Sequence, residues 1–246
     1  WIGNVNGAKY QLWRTDTGDI TVWGSTSFYN FDHDITGISP IGNALSIHTD
    51  QGVHVLTPTG NATVPYQVQR RAPAGSVSGR GIVNLPSGLQ LFPRLDGFYA
   101  WDGGNQVQKI SQALDGSRFW DSINAAKLHL SHGLHYPSTN EVWWFIPYGT
   151  SQATNNYVIV YNTALNCWFG PYTNMARDAS ALVDDRPHAG GFDGYVYTHD
   201  KNDNDDTAAI SARFKTGAPP PMGADVRLRW LYARHYYDAQ DSEYDV

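Results

Sequence analysis

An all-β fold is what this sequence predicts, and three observations carry the prediction. Runs of β-branched and aromatic residues recur at strand length. Gly, Asp, Asn or Pro separates them, supplying the backbone angles that hairpin turns need. Helical periodicity is nearly absent. The clearest set runs Gly79–Leu85, Leu89–Pro93, Gly97–Gly103 and Val107–Ser111, four strand-sized pieces within one stretch of chain. Four strands repeated at a period of about 40 residues are the pattern of a β-propeller blade. The expectation is therefore a β-propeller of four-stranded antiparallel blades, either whole or part of a longer chain's propeller. It is placed at residues 1–216, with 217–246 a linker and the start of further or ring-closing strands.

The elements follow in order. Tyr10–Arg14, the turn Asp16–Asp19 and Ile20–Trp23 read as a hairpin. Ile35–Ser39, Ala44–His48, Val53–Leu56 and Pro65–Val68 make the next set, with a tight turn at Asp50-Gln51-Gly52. Residues 75–111 are the set quoted above. Within Gly97–Gly103, Phe98 and Ala100 share one face and Tyr99 and Trp101 the other, and both aromatic sets are expected to be buried because blades stack on both faces. Gln112–Lys127 is the one place with room for a helical turn. Strands resume at Leu128–Tyr136, Glu141–Ile146, Tyr157–Tyr161 and Cys167–Phe169, where Trp143, Phe145 and Val160 are expected in the core and Trp144 against a neighbouring blade or a partner. A last set covers Ala179–Leu182, His188–Phe192, Gly194–Thr198 and Ala209–Lys215. Pro219-Pro220-Pro221 cannot continue a central strand.

Composition limits function. Among 246 residues only 16% are charged, and the formal net charge is −6, which argues against a surface that grips duplex nucleic acid. Cys167 is the only cysteine, so a disulfide framework and a thiolate cluster are excluded, and a buried thiol beside Trp168 is expected. No apolar run approaches the roughly 18 residues of a membrane helix. The chain opens on Trp1 without methionine and stops mid-pattern at Val246, as a segment of a longer polypeptide would.

Catalytic and metal motifs are sparse. Thr15–Asp19 is similar to the aspartate-box turn of sialidases, but Thr21 stands where the closing aromatic belongs. Glu141 and Glu243 are the only glutamates, Glu141 sits at the start of a strand, and since an Asp can also serve as the acid, the sequence alone places no carboxylate pair across a sugar. His129, His132 and His135 form a metal-like trio; on one strand, however, His132 would face away from the other two, which would stand roughly 20 Å apart. Polar positions on a half-exposed strand are the expected reading. The run Asp200–Asp206 alternates oxygens like the first half of a calcium loop, yet it lacks the central Gly and has Ser211 at the place of the bidentate Glu. Ser76 and Ser78 carry no nucleophile motif around them. No catalytic, cofactor or metal residue is assigned.

Three passages resemble one family. They are Asp34–Leu56; Gly97-Phe98-Tyr99-Ala100-Trp101-Asp102-Gly103 with Val107–Ser111; and Asn140–Phe145 with Val158–Asn162. In this order they resemble the β-propeller tail nozzle or hub proteins that stabilise packaged DNA in short-tailed bacteriophages. The resemblance implies a non-enzymatic virion protein, made in the host cytoplasm and assembled in the phage tail. It implies no cofactor, a homo-oligomeric and usually hexameric ring, contact with the portal or adaptor ring and other tail proteins, transient contact with genome DNA, and no membrane span. Candidate channel or subunit-contact residues are the hairpin tips at Asp50 and Gln51 and at Asp102, and the acidic loop residues Asp203, Asp205 and Asp206. A carbohydrate-binding or glycosidase-type propeller is the alternative.

Overall fold

The computed structural model describes residues 1–199 apart from 6, 16–18, 20, 26, 62, 116–118 and 174, together with two short strands beyond them. About half of the described residues are strand and 8% helical. The chain divides into two compact units, Trp1–Lys201 and Asn202–Val246. Among its described residues the first holds five antiparallel sheets, each a simple meander, arranged as the successive blades of a propeller. The boundary expected at residue 216 lies outside the described residues.

Sheet I contains β1 (Ile2–Val5), β2 (Ala8–Trp13) and β3 (Phe28–Asn30). Sheet II contains β4 (Ile35–Ile41), β5 (Ala44–Thr49), β6 (Gly52–Pro58) and β7 (Tyr66–Ala72). Sheet III contains β8 (Val83–Asn84), β9 (Gln90–Arg94), β10 (Gly97–Trp101) and β11 (Gln108–Lys109). Sheet IV contains β12 (His132–Tyr136), β13 (Glu141–Ile146), β14 (Tyr157–Asn162) and β15 (Cys167–Tyr172). Sheet V contains β16 (Arg177–Val183), β17 (Arg186–Gly191) and β18 (Val196–Thr198). Beyond it, β19 (Asn204–Asp205) pairs with β20 (Ala208–Ala209). Sheets II, III and IV thus have the expected four strands, while I and V have three.

Consecutive sheets meet face to face, and the core is the set of layers between them. Between III and IV, Phe98 and Trp144 stack with ring centroids 4.5 Å apart, and Trp144 Nε1 donates to the Gly81 carbonyl at 3.0 Å. Of the two surfaces expected for Trp144, a neighbouring blade or a partner, the structure shows the blade. Between I and II lie Leu12, Phe31, Ile35, Ile47 and Leu56. Val53, Val55, Phe92 and Trp101 fill the space between II and III, and Phe145, Val158, Val160 and Ala189 that between IV and V. Small residues let the first strands approach. A Cβ on Gly37 would stand 2.6 Å from Ile82 Cδ1 and 2.7 Å from the Gly79 Cα.

Several sequence expectations are corrected. Val22 and Trp23 lie outside any strand, and β2 pairs with β1 and β3 instead. The long β2–β3 connection leaves them exposed. Leu128–Tyr136 is not one strand: Ala125–Leu130 is a 3-10 helix and β12 begins at His132. Short 3-10 turns also cover Gln112–Leu114, Trp120–Ser122 and Pro137–Thr139, more than the single turn expected. Trp101, Phe145 and Val160 are buried, but Trp143 is half-buried because its indole turns to Glu141 Oε2 at 2.9 Å. Tyr99 is half-buried as well, its hydroxyl donating to Asp96 at 2.7 Å. Cys167, on the outer strand of sheet IV, is half-buried rather than enclosed.

Candidate functional site

The predicted hairpin tips are separated by the topology. In an antiparallel meander the turns joining strands one to two and three to four lie at one end, and the turn joining two to three lies at the other. The β5–β6 turn at Asp50 and Gln51 is of the second kind, and the β10–β11 turn at Asp102 of the first. Contacts between sheets II and III fix the correspondence. Gly103 faces Ile41 at the end of β4, while Gly75, leading into sheet III, lies against the carbonyls of Thr49 and Gly52. Asp50 and Gln51 therefore open on one end of the array and Asp102 on the opposite end.

Each tip is held locally. Asp50 lies 3.9 Å from His33 and accepts from Gln51 Nε2 at 3.3 Å, and Arg70 donates to the Gln51 carbonyl at 2.8 Å. Asp102 accepts from the Gly104 amide at 2.9 Å, and Trp101 Nε1 donates to the Gly104 carbonyl at 2.8 Å. These bonds explain both as turn-formers. Asp203 and Asp206 lie outside the described residues, and of Asp205 only the backbone pairing with Ala208 is defined.

A chain of polar contacts at the lead-ins to the first strands escaped the sequence reading. Thr36 Oγ1 donates to the Ser76 carbonyl at 2.6 Å, and Ser78 Oγ to the Ser131 carbonyl at 2.5 Å. Arg80 donates to the carbonyls of Asp178 at 3.0 Å and Leu130 at 3.3 Å, and its guanidinium lies 3.5 Å from the Asp178 carboxylate. Sheets II to V are thereby joined at the end that also carries Asp50. Ser76 and Ser78, with no motif around them, are thus blade-to-blade fasteners. Only their place in short Gly- and Ser-rich connectors hinted at it.

Buried histidines reinforce these joints. His48 is fully buried between sheets II and III, and burial pulls its pKa down to about 4 although its bond to Gln90 opposes the change. His132 stacks on Phe145 with centroids 4.5 Å apart and planes 7° from parallel. Burial, then the nearby Arg80, lowers its pKa to about 4 also. It is not the half-exposed polar position expected, because even-numbered β12 residues face sheet V. His129 sits on the 3-10 helix, bonded to the Ala126 carbonyl, so the histidine trio never shares a strand. Among the described residues no three His, Cys, Asp or Glu side chains converge as a metal site would require.

A concave surface is also formed among the described residues. A half-open cleft of about 330 Å³ is lined by Leu114, Phe119, Tyr148, Ile159, Trp168 and Pro171. Three of its lining residues, Phe119, Tyr148 and Trp168, are aromatic, and Trp168 is anchored by its Nε1 donating to the Ile110 carbonyl at 3.0 Å.

No family model matches the chain, and no curated protein matches it. Among solved structures it is similar to the extracellular domain of the putative one component system BT4673 from B. thetaiotaomicron, at 13% identity and a TM-score of 0.49. A second structure, described as the extracellular domain of the putative hybrid two component system BT4673, matches at 13% identity and a TM-score of 0.46. Each match covers 73% of this chain, which spans 22% of the length of those structures.

Proposed function

We propose that this chain is a structural, non-enzymatic component of a bacteriophage tail nozzle or hub, part of an oligomeric channel that retains packaged DNA and lets it exit. One observation supports the reading above the rest: the three passages that resemble that family fall on consecutive blades. Asp34–Leu56 supplies β4 to β6, Gly97–Ser111 supplies β10 and β11, and Asn140–Asn162 supplies β13 and β14. The resemblance follows the architecture, as it would in a repeat protein whose blades descend from one scaffold. The net charge of −6 suits a conduit past which DNA slides, since few phosphates would be neutralised. Cryo-EM of the source virion tests the proposal directly. Density for these five sheets in a ring on the tail axis is the expected result, and their absence from the particle overturns it.

The aromatic cleft favours the alternative, a carbohydrate-binding propeller, because aromatic faces are suitable platforms for sugar rings. A glycan-array signal that is lost on Trp168→Ala would support that reading.

A further inference from the structure

His132, the first residue of β12, stands at the joint between sheets IV and V. It is 4% exposed and lies on the Phe145 ring, which packs with Ala189 of sheet V. Asn155 Nδ2 is 3.3 Å from His132 Nδ1 and 2.9 Å from the Leu130 carbonyl. An amide nitrogen can only donate, so Nδ1 accepts and Nε2 carries the proton. That buried Nε2 has no hydrogen-bond partner among the described residues.

A second proton has no place in this arrangement. It would arrive on Nδ1 and set an N–H against the hydrogens of the Asn155 amide. Turning the amide to offer its oxygen would set that oxygen against the Leu130 carbonyl. The same carbonyl accepts from Arg80, which also donates to the Asp178 carbonyl of sheet V, so the conflict falls on the contacts that fasten V to IV. Burial is the main force holding the ring neutral, Arg80 adds to it, and Asp178 opposes it. The other charged groups on the joint are engaged elsewhere. Arg177 lies over the Tyr197 ring at 3.7 Å, and Glu141 and His199 meet the Trp143 indole.

The apolar grip on sheet V is thin. Eleven buried residues fill the layer between III and IV, whereas among the described residues sheet V and its lead-in give their joint Ala189 and Met175. Elements with few buried apolar contacts open locally, ahead of the whole fold. We propose that His132 is an acid-sensitive latch, whose protonation releases sheet V from sheet IV while the remaining sheets stay folded. The ring takes the proton more readily once the joint has opened. Its pKa of about 4 in the closed joint lies below the ordinary 6.5, so the joint is at full strength above pH 6.5 and weakens as pH falls toward 4. The latch acts alike in a channel subunit and in a sugar-binding propeller.

Hydrogen exchange of the whole chain, read by mass spectrometry and corrected for the intrinsic rate at each pH, tests the latch. Protection of β16 to β18 should fall roughly 60-fold between pH 7 and pH 4.5, the factor that this difference in pKa implies, while β9 and β10 stay protected. In His132→Phe, which keeps an aromatic ring on Phe145, the fall should shrink to a few-fold. In His48→Leu it should persist, because sheet V can part from sheet IV without disturbing the joint between II and III. A fall that persists in His132→Phe, or that vanishes in His48→Leu, overturns the latch. So does loss of protection in β9 and β10 together with sheet V. Should His132→Phe not fold, the carbon-13 shifts of the His132 ring in the parent chain decide the matter. The ring must gain its proton as the sheet V amides lose protection, and a protonated ring beneath protected amides overturns the latch.

Discussion

His48 Nε2 lies 3.1 Å from Gln90 Oε1, and this bond joins the second strand of sheet II to the second strand of sheet III. The tautomer follows from the other ring nitrogen. The Ser76 amide can only donate, and it reaches His48 Nδ1 at 3.2 Å, so Nδ1 accepts and Nε2 carries the proton. Gln90 passes the connection on, its Nε2 donating to the Pro40 carbonyl and to Asn84 Oδ1, each at 3.0 Å. Asn84 then bonds Ser39 at 2.8 Å. Replacing His48 by Leu strands a buried amide and a buried carboxamide oxygen, and a loss of about 2–4 kcal/mol is expected from the desolvation of two unpaired groups. Urea unfolding at pH 7 measures it, and a loss below about 1 kcal/mol would show that the network contributes little.

The same histidine makes stability depend on pH. Its folded-state pKa of about 4 lies below the ordinary 6.5, as does that of His132. The unfolded chain therefore binds protons first as acid is added. Stability is full above pH 6.5 and falls between pH 6.5 and 4, by roughly 3 kcal/mol for a fully buried ring. The His48→Leu variant should lose less stability than the parent between pH 7 and 4.5. Parallel curves would show that other groups govern the acid limb.

Two glycines provide an internal contrast. At Gly37 an added methyl meets Gly79 backbone at 2.7 Å, which cannot swing away, whereas Gly190 looks onto open space. Gly37→Ala is expected to cost about 1–3 kcal/mol by overpacking. Gly190→Ala should be neutral within about 0.5 kcal/mol in the unassembled chain. Equal effects on the thermal midpoint would show that the sheet II–III approach is looser than described.

Trp101 tests the core reading. It is 1% exposed, packs with Val53 and Phe92, and donates its indole hydrogen to the Gly104 carbonyl. Trp101→Ala should cost roughly 3–5 kcal/mol. A change below about 1 kcal/mol would place the side chain at the surface.

What could be read from the sequence was what local alternation dictates. The hairpins at Asp50-Gln51 and Asp102-Gly103 carry their own turn chemistry, so strand pairs formed around them were legible, as was the burial of Trp101, Phe145 and Val160. Failures came where tertiary partners decide. Ile20–Trp23 has strand composition, but β3, later in the chain, takes the place beside β2. His132 looked polar and half-exposed because nothing local announces the Phe145 ring beneath it. The candidate site fared less well: Asp50 and Asp102 are both turn aspartates, and only the order of strands reveals that they occupy opposite ends.

Duplex affinity is the prediction closest to function. Among the described residues, Arg80, Arg94 and Lys109 each have a carboxylate partner: Asp178 at 3.5 Å, Asp96 at 3.3 Å and Asp115 at 2.7 Å. With these three cations paired and a formal net charge of −6 over the chain, few phosphates should be neutralised and few counterions released on binding. The slope of log affinity against log salt should then be no steeper than about −2, against about −0.9 per phosphate contact in B-DNA. Charge reversal at Asp203, Asp205 and Asp206 together tests whether the acidic loop matters to the channel. Particles carrying it should show altered assembly or DNA retention, while the five sheets keep their urea midpoint. Normal retention and ejection would reduce that loop to a solvated turn, and a steep salt slope in the parent chain would count against a non-adhesive conduit.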